Sequence, residues 1–445
     1  METISSCEKS RSREMAFIVS LVLLFAFTIL EIHIIKVFLF RGQLIHSVTS
    51  KELIFIFYIA FSFAFLRGRI VDVLKAYKYL WIALTAFLIS FGISARLSSE
   101  FKLSAQAWAK YCVQMFLFFA LALQLDSRYR LEFTGKLLYR IAVVIAVLGI
   151  AETIWPAQFR NIVMPFKQDM VIKFSPRVST VFLIPHFAAT YMAIGLFFGT
   201  WFYTEKLISK WEYFLTLPFC LYILGSTGCR AAWLAFVAVA LGAVIITGSR
   251  GRRAIYVWVV FLFLLINLNN GVFSHTMNIK SPAGNYIGYV RKVEEALKAQ
   301  DTIDSAVMRV ELWKTALRMT RLHPVFGIGA GMFRYSYPQY SEIIYKDRLY
   351  GLLTAHNLAL NILAEGGISA FVIFLLFILF LIPYLIRPWP ELMSVLPFIG
   401  VLITEMFDAQ LEAGEMALLF WACLAFALQA KKYMSRGKGS GAGSA

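Results

Sequence analysis

The sequence predicts an all-α polytopic membrane protein, and three observations carry that expectation. Of its 445 residues, 60% are hydrophobic and only 16% are charged. Apolar runs repeatedly reach the roughly 20 residues that a helix needs to cross a bilayer. The basic residues behind the formal net charge of +17 gather on alternate connecting segments, as expected of a chain threading a membrane. Topology therefore accounts for most of the charge without a nucleic-acid partner.

Hydropathy places about twelve spans, at residues 16–38, 52–66, 79–95, 106–125, 137–155, 181–203, 211–226, 230–248, 254–272, 356–386, 391–408 and 414–430. The first run follows Lys9, Arg11 and Arg13; it is too long for a signal-peptide core and lacks a small-residue cleavage site, so it is expected to stay as a span. With the N-terminus inside, the inner segments receive Arg67, Arg69, Lys75 and Lys78, then Arg128, Arg130 and Lys136, then Arg250, Arg252 and Arg253, and last Lys431, Lys432, Arg436 and Lys438. They then hold about twice the Lys and Arg of the short outer loops, which puts both termini in the cytoplasm.

One outer segment stands apart. Residues 271–355 are polar and separate the first nine spans (1–270) from the last three (356–432), so they are expected to form an extracytoplasmic subdomain. Within it, Val307, Val310, Trp313, Ala316, Leu317 and Met319 recur with helical spacing until Pro324, which predicts an amphipathic helix over 304–322, lying on the membrane surface. The following Gly327-Ile-Gly329-Ala-Gly331 reads as a turn. It lacks the spacing and the preceding strand of a dinucleotide fingerprint, and no Walker A or Asp-x-Asp pattern occurs. Cys7, Cys112, Cys220, Cys229 and Cys423 lie outside this segment with no CxxC or Cys/His cluster, so neither a disulfide framework nor a metal site is expected. Residues 433–445, mostly Gly, Ser and Ala, read as a flexible tail outside the fold.

The polar residues at the outer ends of the spans are the candidates for chemistry. His356 opens a span whose first turns also carry Asn357, Asn361 and Glu365. The positive end of a helix dipole disfavours a charged imidazole, which suits a neutral base at a water boundary. Asn357 and Glu365 can fix the ring tautomer or hold a sugar hydroxyl; helix–helix hydrogen bonding is an equal alternative. His33 and His186 fall in or at the start of apolar runs and His323 precedes a turn, which sets them apart from His356. Arg230, in Gly225-Ser-Thr-Gly228-Cys-Arg230, fits an anion site, since glycines allow close backbone approach and guanidinium offers a fork of donors; a snorkelling helix-end arginine is the plainer reading. Arg309 on the amphipathic helix and Arg177 before the 181–203 span each read either as a phosphate contact or as a surface or interfacial residue. Asp408, Glu412 and Glu415 form an acidic outer loop, read chiefly as solvated, with orientation of sugar hydroxyls or balance of the arginines as the other readings.

Four segments together resemble a known family: Thr227-Gly-Cys-Arg230-Ala-Ala-Trp233, Arg309-Val-Glu-Leu-Trp313, His323-Pro-Val-Phe-Gly327-Ile-Gly329-Ala-Gly-Met-Phe333 and His356-Asn-Leu-Ala-Leu-Asn-Ile-Leu-Ala-Glu365-Gly-Gly367. In this order around one large loop, the chain resembles the O-antigen ligase and polymerase superfamily of bacterial envelope glycosyltransferases. A single dominant loop and this length are more similar to the lipopolysaccharide O-antigen ligases than to the polymerases. The resemblance implies a GT-C-like helical architecture in the bacterial inner membrane. It also implies transfer of a glycan from an undecaprenyl-diphosphate-linked O-antigen donor to a sugar hydroxyl of lipid A core at the periplasmic face, without metal or other cofactor. His356 matches the family's essential histidine, Arg230 and Arg309 its arginines, and Arg177 and Asp408 lie near further family positions; Cys229 departs from the small residue often found there. Under this implication His356 is the base, the arginines hold the diphosphate, and Trp313 and loop tyrosines among Tyr335, Tyr337, Tyr340, Tyr345 and Tyr350 stack on sugars, most of those tyrosines being read as packing residues. An O-antigen polymerase, a protein-glycosylating ligase and, from another class, a lipid-linked oligosaccharide transporter remain as alternatives. A transporter would be expected to show charges or broken helices near mid-bilayer and pseudo-symmetric halves.

Overall fold

The computed structural model describes residues 2–30, 33–38, 44–156, 158–159, 178–180, 182, 184–267, 305–342, 354–386, 389–409, 411 and 413–433. Arg177, Glu412, Tyr345, Tyr350, residues 268–304 and all but the first residue of the tail lie outside them.

Helices dominate: α1 (Glu2–Leu30), α2 (Ser50–Leu66), α3 (Ile70–Ala76), α4 (Lys78–Leu97), α5 (Phe101–Gln124), α6 (Arg128–Ile154), α7 (Pro185–Thr204), α8 (Lys210–Ser226), α9 (Arg230–Ile246), α10 (Arg250–Asn267), α11 (Ser305–Leu322), α12 (Phe333–Tyr340), α13 (Leu358–Leu385), α14 (Leu396–Asp408) and α15 (Gly414–Tyr433). Every expected span has its helix. Among the described residues, seven stretches are long and apolar enough to cross a membrane: Ser12–Ile29, Leu53–Ala76, α4, α5, α6, α13 and Gly414–Lys431.

Two expected boundaries are corrected. The segment expected at 391–408 is α-helical only over Leu396–Asp408, after a 3-10 turn at Trp389–Ser394. The first helix ends at Leu30 rather than continuing to residue 38, and His33–Phe38 instead pairs antiparallel with Leu44–Thr49. Ser12–Ile29 already supplies a span's length. Beyond it the sequence turns to Ile34, Ile35 and Val37 interrupted by Lys36, a composition that favours a pleated strand over an apolar helix.

The axis of the bundle is α15, of whose span 94% is buried. Its Ala417, Ala422, Ala425 and Ala427 are fully enclosed, and such small residues let neighbouring helices approach closely. Against α6, helix α7 presents Gly195 and Gly199, where a Cβ would come within 2.4 Å of Ala142 and of the Tyr139 ring. At the end where α6 begins, Arg130 contacts Asp126 at 3.1 Å and Glu14 at 3.3 Å, and Arg69 also pairs with Asp126.

The segment between α11 and α13 has a small core of its own. Leu312, Ala316 and Met319 of α11 pack with Ile328, Met332, Phe333 and Tyr337 against Ala364 of α13. The expected helix is present, but its buried stripe is rotated from the expected one, since Val310 and Leu317 are exposed. The difference arises because Leu312 and Glu311, both buried, lie on the side that docks onto the bundle. Glu311 Oε1 accepts from Arg318, Ser341 Oγ and the Glu342 N–H, each at 3.1 Å, and so ties α12 back to α11.

Helix α13 is interrupted where the sequence suggested one unbroken span. Gly367 has φ 69° and ψ −171°, which breaks the helical hydrogen-bond ladder. The 324–329 turn fills the break: Ile328 N–H and Gly329 N–H donate to the Ala364 and Glu365 carbonyls at 3.0 and 3.1 Å, while Ile368 N–H and Ser369 N–H donate to the Pro324 and Val325 carbonyls at 2.8 and 3.2 Å. Backbone groups freed by the break are thus satisfied within the protein, as burial requires.

Candidate active site

Alternation of helix direction sends the starts of α7, α9 and α13 and the end of α14 to one end of the bundle. There His186, Cys229, Arg230, Arg309, His356 and Asp408 line a single cavity of about 130 Å³. His186 follows Pro185 at the start of α7, and Arg230 is the first residue of α9 after the turn at Gly228. Three helix N-termini facing one cavity with two guanidinium groups make it suited to an anion.

Asp408 organises the cavity. The side chain ends α14 with only 4% of its residue surface exposed, and its two oxygens face different partners. Oδ1 lies 3.2 Å from His356 Nδ1 and 3.3 Å from Arg309 Nη2. Oδ2 faces the Cys229 thiol, 4.0 Å away. With Nδ1 donating to Asp408, the lone pair of the imidazole is left on Nε2, the arrangement that a general base needs. The expectation of a solvated acidic loop is not met at its described ends, for Asp408 and Glu415 are both buried.

Backbone and side-chain contacts fix His356. It adopts φ 46°, uncommon for a residue with a Cβ and found where the surroundings hold it. Its N–H donates to Thr354 Oγ1 at 3.2 Å. Asn357 then caps α13 by accepting from Leu360 N–H at 3.1 Å, and its amide donates to the Met406 carbonyl at 3.0 Å, pinning the start of α13 to the end of α14. Asn361 accepts from Ala355 N–H at 3.1 Å.

The predicted residues divide accordingly. His356, Arg230, Arg309 and Asp408 meet; Asn357 supports them from behind. Glu365 stands elsewhere, buried, with its carboxylate accepting from Gly331 N–H at 3.0 Å and Phe333 N–H at 3.1 Å. It holds the glycine turn, at whose centre Gly329 takes φ 115° and a Cβ would strike Ser98 at 2.6 Å. Trp313 is half-buried one turn along α11 from Arg309 and does not line the cavity. Arg177 lies outside the described residues; Val178, next in the chain, donates to the Ser226 carbonyl at 3.2 Å beside the Gly228 turn.

His186 is a site residue that the sequence does not single out. A lone histidine entering an apolar run gives no local signal, but counting helix ends puts it at the same end as Arg230 and His356. Likewise, His186, Cys229 and Asp408 come together with their ligating atoms all within 4.8 Å of one another, although no such cluster is visible along the chain.

Residues 213–375 match the family model described as O-antigen ligase. The matched stretch contains Arg230, Arg309, His356 and Glu365, whereas His186 and Asp408 lie outside it. No curated protein matches the chain.

Proposed function

We propose that this protein transfers a lipid-linked glycan onto a sugar hydroxyl, as an O-antigen ligase: the donor is an undecaprenyl-diphosphate-linked O-antigen and the acceptor lipid A core, yielding lipopolysaccharide. The observation that carries the reading is the shared cavity of His356, Asp408, Arg230 and Arg309. The acceptor hydroxyl gives its proton to His356 Nε2 as its oxygen attacks the anomeric carbon. The bond from that carbon to the diphosphate oxygen breaks, the leaving group takes the electron pair, and the anomeric centre inverts. Arg230 and Arg309 neutralise the charge that builds on the diphosphate, while Asp408 orients His356 and stabilises the imidazolium. Arg177 adds a third cation, and Trp313 and exposed loop aromatics give sugar rings an apolar face.

Beside this cavity, Phe87, Phe91, Tyr111, Phe374, Phe377 and Trp421 line an apolar one that also includes Leu358 and Ala409, neighbours of His356 and Asp408 in the chain. A polyprenyl chain entering there would lead its diphosphate to the arginines. In the membrane the chain makes twelve spans in a GT-C-like arrangement, with both termini cytoplasmic and the cavity at the periplasmic face of the inner membrane. Filling of the α13 break by the chain's own turn speaks against a transporter, which would use such freed carbonyls for a cargo ion.

The test is the product. Purified protein supplied with an undecaprenyl-diphosphate-linked glycan is expected to make glycan-capped lipid A core when that acceptor is present. Lengthened lipid-linked chains from donor alone would show a polymerase instead, and transfer to neither would refute the reading.

A further inference from the structure

We propose that His186, Cys229 and Asp408 form a binding site for a thiophilic divalent cation, with zinc the best fit. The three ligands come from the starts of α7 and α9 and the end of α14. Their ligating atoms lie within 4.8 Å of one another. In a tetrahedral zinc site, bonds of about 2.0–2.3 Å put neighbouring ligand atoms roughly 3.3–3.8 Å apart, so side-chain movements of about an ångström close this cluster on the ion. Imidazole, thiolate and carboxylate in one set favour zinc over calcium or magnesium, which take oxygen ligands.

The geometry of Asp408 makes the site compatible with the contacts already present. Oδ1 serves His356 and Arg309, whereas Oδ2 is the oxygen turned toward Cys229. On binding, the Cys229 S–H bond breaks, its proton leaves to water, and the thiolate sulfur bonds the metal. Thiolate and Asp408 carboxylate together match the dication's charge, which offsets repulsion from Arg230 and Arg309 across the cavity. Three protein ligands leave the fourth position open to that cavity.

One consequence rests on the proposed glycan transfer: the bound ion draws charge from Asp408, the partner of His356, and occupies the space of the reacting groups, so it inhibits. The site was hidden in the sequence because its ligands are spread over positions 186, 229 and 408.

Cobalt replaces zinc with a visible signature. Titrating Co²⁺ into the purified full-length protein in detergent is expected to give tetrahedral d–d absorption and a near-ultraviolet sulfur-to-cobalt charge-transfer band, both bleached by Zn²⁺. Cys229→Ser abolishes the charge-transfer band and His186→Ala weakens binding at least about tenfold, whereas His356→Ala keeps the band. Serine is a good helix N-cap, so Cys229→Ser preserves the start of α9. No band in the wild type, or an undiminished band in Cys229→Ser, overturns the site. In the transfer assay, Zn²⁺ slows the wild type reversibly with chelator and leaves the Cys229→Ser rate unchanged relative to its own zinc-free rate. Zinc binding without slowing overturns the inhibitory consequence. Absence of transfer in every sample refutes the glycan-transfer reading instead, and the cobalt spectrum still decides the metal site.

Discussion

Asp408→Asn removes one charge and almost no volume from the centre of the cavity. The carboxylate lies 3.2 Å from His356 Nδ1 and is nearly fully buried. In the proposed transfer His356 takes the acceptor proton and an imidazolium forms beside Asp408; two unit charges about 4 Å apart interact by about 4 kcal/mol at the effective dielectric of such sites. Asn keeps a hydrogen-bond acceptor but no net charge, so most of that stabilisation of the transition state is lost. It also leaves Arg309, 3.3 Å away, without its carboxylate and adds a positive field that opposes the imidazolium. The expected result is a fall in kcat of about 10²–10³-fold, with donor affinity unchanged or improved because Arg309 is freed for phosphate. Transfer rates at saturating acceptor, measured with a labelled lipid-linked donor, give the first quantity; donor binding to the same protein gives the second. In the double variant with His356→Ala the losses are non-additive, because the two residues act as one unit. A kcat within about threefold of wild type, or fully additive losses, would mean that Asp408 does not stabilise an imidazolium at His356.

Other outcomes follow from the same geometry. Glu365→Ala leaves the Gly331 and Phe333 N–H groups buried without their acceptor; at about 1–3 kcal/mol each, the expected effect is a lowered unfolding temperature in detergent, and an unchanged temperature with lost acceptor binding would favour a sugar contact instead. Gly367→Ala forces a Cβ to 2.4 Å from the Val325 carbonyl at φ 69°, so folded protein recovered from size exclusion should drop sharply; normal yield would mean the α13 break is not held by the 324–329 turn. Asn357→Ala removes the cap of α13 and its tie to the Met406 carbonyl, costing about 1 kcal/mol from the cap alone, and should lower kcat more than it changes donor affinity. If the affinity falls and kcat does not, Asn357 touches the donor rather than positioning His356.

Much of this fold was legible in the sequence, because a lipid solvent imposes length and polarity rules that few other environments impose. The twelve apolar segments each became a helix, and alternation of their direction was enough to put Arg230, His356 and Asp408 at one end. What a sequence pattern does not encode is contact across the fold. The first apolar segment runs past the end of its helix because Ile34, Ile35 and Val37 are as apolar in a strand as in a span. The break at Gly367 has no local signature because its compensation comes from the 324–329 turn, some forty residues earlier. Glu365 lies nine residues after His356 and reads in sequence as a sugar or tautomer contact or a helix–helix hydrogen bond, yet its carboxylate faces the Gly331 turn. His186 and the oxygen-by-oxygen division of Asp408 are properties of convergence, which no local pattern encodes.

The proposed role of His356, the base opposite a diphosphate held by arginines, can be read from single-turnover transfer in His356→Ala protein loaded with the lipid-linked donor, beside a donor-binding measurement on the same sample. The expected result is donor bound with near wild-type affinity and no glycan-capped lipid A core formed. Transfer at the wild-type rate would contradict it.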